Sequence, residues 1–167
     1  MRPIRMPTGI GILVLIACVA LPGCRTANSQ VQLTVLESDA FSGMQEAGPD
    51  FKVITDAQTF AEQYRKAHAH KLDQSDPPQV DFKNRLVLVA FMGQQSTAGY
   101  GIQFDSPPVR EGGSLLVTVR MQKPPPGAIL AQVITSPYAM AVIDRGDYTT
   151  IKFVDQDAKL LAVRAVP

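Results

Sequence analysis

The sequence predicts a mainly β fold, a β-sandwich or partly closed barrel with one packed amphipathic helix. Three observations predict it. Short segments in which apolar and polar residues alternate recur through the second half of the chain, separated by turn-forming residues. The 13 prolines fall in clusters, as turns between short strands require. One segment alone has a helical period.

In chain order, residues 30–36 alternate Val31, Leu33 and Val35 with Gln32 and Thr34, the pattern of a half-buried strand. Residues 42–50 form a Gly/Pro loop, and 51–54 a short strand. Thr55-Asp56-Ala57-Gln58 then has capping-box spacing. Behind it Ala57, Phe60, Ala61, Tyr64 and His68 recur at three- and four-residue intervals, which predicts a helix over 56–69. After a polar loop at 72–79, Arg85 to Phe91 is a continuous apolar run, expected as a central strand buried on both faces. Residues 100–104, 115–119, 129–134, 139–143 and 151–154 are further strand segments, and 160–166 closes the chain. Asp155 and Asp157 flank Gln156 at an expected hairpin tip.

Composition limits the function. The 167 residues suffice for one domain, and 46% apolar with 19% charged residues excludes a largely disordered chain. No Lys/Arg cluster suggests nucleic acid. Arg65 to Lys71 lies on the expected helix as a solvated face. Both cysteines, Cys18 and Cys24, fall in the first 24 residues, so the remainder has no thiol for a disulfide or a Cys-based zinc site.

The N-terminus reads as an export signal. Arg2 and Arg5 precede an apolar run, Ile10 to Leu21, of about 12 residues, a signal length and short of a membrane span. Leu21-Pro22-Gly23-Cys24 resembles the bacterial lipobox, which implies removal of residues 1–23, lipidation of Cys24 and a tether over 24–30. Residues 31–167 are then a single β-rich domain. Without its signal the chain loses two of its 16 basic residues and none of its 15 acidic ones, leaving a formal balance of −1. Arg25 after the cysteine makes the outer membrane, facing the periplasm, the expected destination in a Gram-negative cell.

Catalytic residue types are sparse. His68 and His70, two apart on one helix, point to different sides and make a poor metal pair. No glycine-flanked serine suggests a nucleophile elbow. We therefore expect no catalytic residues, no metal, no cofactor and no enzyme. Three loops are the better candidates. Gly93 to Gly101 combines glycines for tight turns with Thr97, Gly99 and Tyr100, whose ring offers a large surface with a polar tip. Lys123-Pro124-Pro125-Pro126-Gly127 is a stiff arm ending in a turn. In Thr135-Ser136-Pro137-Tyr138, Pro137 interrupts a strand ladder as a bulge or a cis peptide. Thr97, Gly99, Tyr100, Pro125, Pro126, Pro137 and Tyr138 are thus the candidate partner-binding residues.

The order of these segments is similar to that of the PrcB C-terminal-domain family of protease-complex subunits: Asp81-Phe82, an apolar strand ending at Gly93, Thr97-Ala98-Gly99-Tyr100-Gly101-Ile102, Pro124-Pro125-Pro126-Gly127 and Thr135-Ser136-Pro137-Tyr138. The likeness covers roughly residues 80–144, with Ala98 where the family typically has glycine. It implies a lipid-anchored or secreted partner of an envelope protease. The Thr-x-Gly-Tyr loop also resembles a recognition loop of chagasin-type protease inhibitors, with Ser136-Pro137-Tyr138 in place of their Arg-Pro-aromatic loop. The expected function is a non-enzymatic, membrane-tethered binding module, an accessory or regulatory subunit of an envelope protease. The alternatives are a structural lipoprotein of outer-membrane or cell-wall assembly and a chagasin-like inhibitor.

Overall fold

A computed structural model describes residues 30–72 and 75–167. Cys24, the signal and residues 24–29 of the tether lie outside the described residues. The apolar run at Arg85–Phe91 (β3) sets the architecture. Its side chains from Leu86 onward are all buried, alternately against a second sheet and against a helix. Beside β3 lie β7 (Tyr138–Asp144) and β2 (Asp50–Ile54), and β1 (Leu33–Asp39) pairs with β7. This antiparallel sheet has the order β1-β7-β3-β2.

The helix α1 (Ala57–Ala67) begins where Asp56 accepts the Thr59 amide at 2.8 Å, and that bond holds the Asp56 carboxyl below its ordinary range. Phe60, Tyr64 and Ala67 face the sheet, on Val87, Val89, Phe91, Met140 and Val142.

The second sheet has β4 (Gly101–Phe104), β6 (Ser114–Gln122), β8 (Thr150–Val154) and β9 (Leu160–Ala165) in that order. A short β5 (Val109–Glu111) also pairs with β6. Within it β6 and β8 run parallel, the rest antiparallel. Leu115, Val117, Val119, Ile151 and Phe153 face Leu86, Leu88, Ala141 and Ile143 across the inter-sheet core. Helix, sheet and sheet form three layers. The arrangement is sandwich-like, with no closed barrel among the described residues.

Three expectations change. Residues 129–134 form no strand; Ile129 and Ile134 stand in water, and the segment is held by the single backbone bond from Ala98 to Ala131 and by the bridge Gln95–Thr135 just beyond its end. β1 extends to Asp39, and a bulge between Val35 and Glu37 breaks the alternation, so Val31 and Leu33 are buried while Val35 is 45% exposed. The cis peptide is Ser106–Pro107, and Pro137 is trans. The hairpin tip forms as expected: Asp155 Oδ1 accepts the amides of Asp157 and Lys159.

Candidate functional site

The strand directions place the three candidate loops at one end of the sandwich, with residues 40–48 beside them. Backbone bonds tie them together. Gln95 and Thr135 exchange N–H···O bonds of 2.8 and 2.9 Å, and Ala98 donates to Ala131 at 3.1 Å. Gln94 donates to Glu46 and Ser136 to Ala40, both at 2.9 Å. The Thr135 hydroxyl donates to the Thr97 carbonyl at 3.1 Å.

Two glycines permit this convergence. Gly93 has φ +81°, and a Cβ there would lie 2.8 Å from the Gly48 backbone. Gly99, at φ +92°, brings its loop against Pro124, to which a Cβ would come within 3.1 Å. Beyond Pro124 the arm turns at Gly127 (φ +78°), where Ala128 donates to Pro125, leaving Pro125 and Pro126 exposed.

Thr97, Gly99, Tyr100, Pro125 and Pro126 therefore share one end of the molecule. Tyr100 is half-buried: it packs on the inter-sheet core and lines a cleft of about 200 Å³ beside Ala40. Pro137 and Tyr138 do not join this surface, which corrects their placement on a recognition loop. Pro137 is buried, with its carbonyl accepting the Met92 amide at 2.8 Å. Tyr138 opens β7 and turns its ring into the helix-side core, fully buried. A loop folded in this way has no free tip with which to enter a groove, as the chagasin-type comparison had implied for Ser136-Pro137-Tyr138.

Tyr138 belongs to a polar cluster beneath α1. Its hydroxyl donates to Glu37 Oε1 at 3.1 Å and lies 3.2 Å from His68 Nε2, which is itself 3.1 Å from Glu37 Oε2. The other ring nitrogen, Nδ1, faces the Tyr64 carbonyl at 2.8 Å and donates to it, and the Tyr64 ring stacks on the imidazole at 4.0 Å. Burial first, and the Glu37 carboxylate second, push the Tyr138 hydroxyl well above the ordinary phenol range. The cluster fastens the end of α1 to β1 and β7. His70, by contrast, is exposed.

Sequence reasoning missed the apolar part of the loop end. Phe41 (42% exposed) and Ile134 (67%) flank a cleft of about 340 Å³ that Met44, His70, Gln94 and Ser136 also line. The signal was present in residues 129–134, where Ile129, Val133 and Ile134 suggested a strand and instead face water. At the cleft the Ser42 and Ser136 hydroxyls lie 3.0 Å apart, and Ser136 donates to the Met44 carbonyl at 2.8 Å. Both hydroxyls are thus engaged in holding the 42–44 turn. Among the described residues no group of three or more His, Cys, Asp or Glu side chains converges as a metal site.

The PrcB C-terminal family model matches residues 86–144, from β3 through β7, a segment that contains all three loops. Asp81-Phe82 falls just outside the match. No curated protein and no solved structure matches the chain.

Proposed function

We propose that this chain, PrcB C-terminal in family over residues 86–144, is a non-enzymatic binding module that accompanies an envelope protease as an accessory or regulatory subunit. The observation that carries the reading is the gathering of the family segment's loops at one end of a rigid two-sheet scaffold, where Phe41 and Ile134 remain in water around a cleft. Exposed apolar side chains on loops held by a packed scaffold are how binding surfaces are commonly built.

Direction along the sheet supports a tethered role. Residue 30 enters at the end opposite the loops, and the seven residues of β1 span about 20 Å between them. An acylated Cys24 at the membrane surface would then hold the loop end outward, toward a partner in the periplasm. Two or three acyl chains make such an anchor stable.

The test is capture from intact cells, with the wild type and a Phe41→Asp/Ile134→Asp variant purified side by side and bound proteins identified by mass. A protease recovered with the wild type and lost with the variant is the expected result. Recovery of the same cell-wall or outer-membrane assembly proteins by both, without a protease, would favour a structural lipoprotein.

A further inference from the structure

The two sides of the sandwich are closed differently. Where β2 faces β9, Arg164 reaches across the sheets: its Nε donates to the Phe51 carbonyl at 2.9 Å, and its guanidinium lies 3.8 Å from Asp50. Where β1 faces β4, no backbone hydrogen bond joins the strands among the described residues. The hydrogen bond beside that seam is a long one, from Ser106 Oγ to the Leu33 carbonyl at 3.5 Å.

Ladder parity identifies the backbone groups left free. Met92 donates to Pro137, so Pro137 and every second residue after it in β7 turn their backbone groups toward β3. Tyr138, Met140, Val142 and Asp144 turn theirs toward β1, opposite Asp39, Glu37, Thr34 and Gln32. The N–H and C=O of Leu33 and Ser38 consequently point outward. Asp105 donates to Thr118, so by the same parity Ile102 and Phe104 in β4 also point theirs outward, toward the same seam.

Two clefts lie along it. One of about 200 Å³ sits at the loop end between residues 38–40 and 100–103, and one of about 380 Å³ sits between residues 30–34 and Ser106–Pro107. Neither β1 nor β4 contains Lys or Pro, and the protection on this edge is confined to the bulge after Val35 and the carboxylates of Glu37 and Asp39. Apart from the Leu33 carbonyl, which takes the Ser106 bond, the outward groups of β1 have no hydrogen-bond partner among the described residues, and the chemical complement of such an edge is another extended main chain.

We infer that the β1–β4 seam is a strand-accepting site. An extended segment of a partner polypeptide adds to the free edge of β1, and its side chains enter the two clefts. Such additions draw affinity from main-chain bonds and selectivity from alternate side chains. The clefts are about 20 Å apart along β1, so the segment needs roughly seven residues or more. The inference rests on the proposed protein-binding role only in taking the ligand to be a polypeptide, and it places that ligand beside the loop end.

The experiment selects a phage-displayed library of linear ten-residue peptides on the full chain in detergent, then titrates the synthesised winners. The exposed Ser38 keeps its N–H outside the β1–β7 ladder, so Ser38→Pro removes one outward donor and leaves that ladder intact. Val35→Lys adds a protecting charge at an exposed position without altering the backbone. The expected peptides alternate apolar and polar residues, slow amide exchange at Leu33 and Ser38, and lose at least tenfold in affinity with either variant. Ile134→Asp leaves their affinity unchanged even if it abolishes protease capture, so the two proposals fail separately. The inference is overturned if no peptide is enriched, if the winners protect only residues 93–134, or if both variants bind as tightly as the wild type. Slow exchange at Leu33 and Ser38 without peptide also overturns it, because the edge is then already filled by the chain or by a second copy.

Discussion

Replacing Tyr138 by Phe and by Ala separates a core role from a surface one. Tyr138→Phe keeps the buried ring and removes a hydroxyl that contacts Glu37 Oε1 at 3.1 Å and His68 Nε2 at 3.2 Å. A hydrogen bond to a charged group is worth about 1.5–3 kcal/mol, and a neutral one about 1 kcal/mol. The Glu37 side chain is 24% exposed, so water reaches the carboxylate, and its Oε2 keeps His68 at 3.1 Å. The expected loss is therefore about 1–2 kcal/mol, which for a domain of this size lowers Tm by roughly 4–8 °C. Tyr138→Ala also leaves a cavity against Phe91 and α1 and should cost about 3–5 kcal/mol. Urea denaturation followed by circular dichroism measures both. A Phe variant as stable as the wild type would refute the buried network. A stable Ala variant that loses only its partner would return Tyr138 to the recognition surface.

Other predictions concern the loop junction, the core and the alkaline limb. Gly93→Ala places a Cβ against the Gly48 backbone at φ +81°, and the backbone conformation alone should cost about 1–2 kcal/mol in the same denaturation assay; no loss would mean that this junction is loose. Leu88→Ala, in the fully buried centre of β3, should cost about 2–5 kcal/mol by thermal unfolding. Burial, opposed by Arg110 and Arg145, pushes the Tyr148 hydroxyl up to about 12, while an unfolded tyrosine titrates near about 10. The unfolded chain then loses its proton first, so stability present below about pH 10 falls as pH rises toward about 12. Tyr148→Phe should flatten that slope, and an unchanged slope would contradict the assignment.

Elements whose pattern follows from burial were legible in the sequence. Leu86 to Phe91 is apolar throughout because β3 has a layer on each face, and α1 shows its buried stripe at Phe60 and Tyr64, although its cap is Asp56, one residue beyond the Thr55 that capping-box spacing indicated. Elements set by long-range pairing were not. The parallel β6–β8 ladder leaves no local signature, and β5, three residues beyond Pro107 and Pro108, is too short for alternation to register. The bulge after Val35 shifts which side chains face inward, something a strict period of two does not foresee. Residues 129–134 misled because an apolar pattern signals burial, and here Ile129, Val133 and Ile134 face water. The candidate site was partly legible. Gly99, Tyr100 and the proline arm do meet, whereas Tyr138 was assigned to a loop because Pro137 precedes it, although its ring begins the buried strand. Phe41 comes to the loop end only through the pairing of β1 with β7.

The loop end is the surface proposed to contact a protease partner. Site-specific photocrosslinking in living cells tests it, with the crosslinker placed at Ile134 or at exposed Lys83 on the opposite end. A protease subunit crosslinked from Ile134 and absent from Lys83 is the expected result. Equal capture from both positions, or capture from Ile134 of cell-wall and outer-membrane assembly proteins alone, would contradict it.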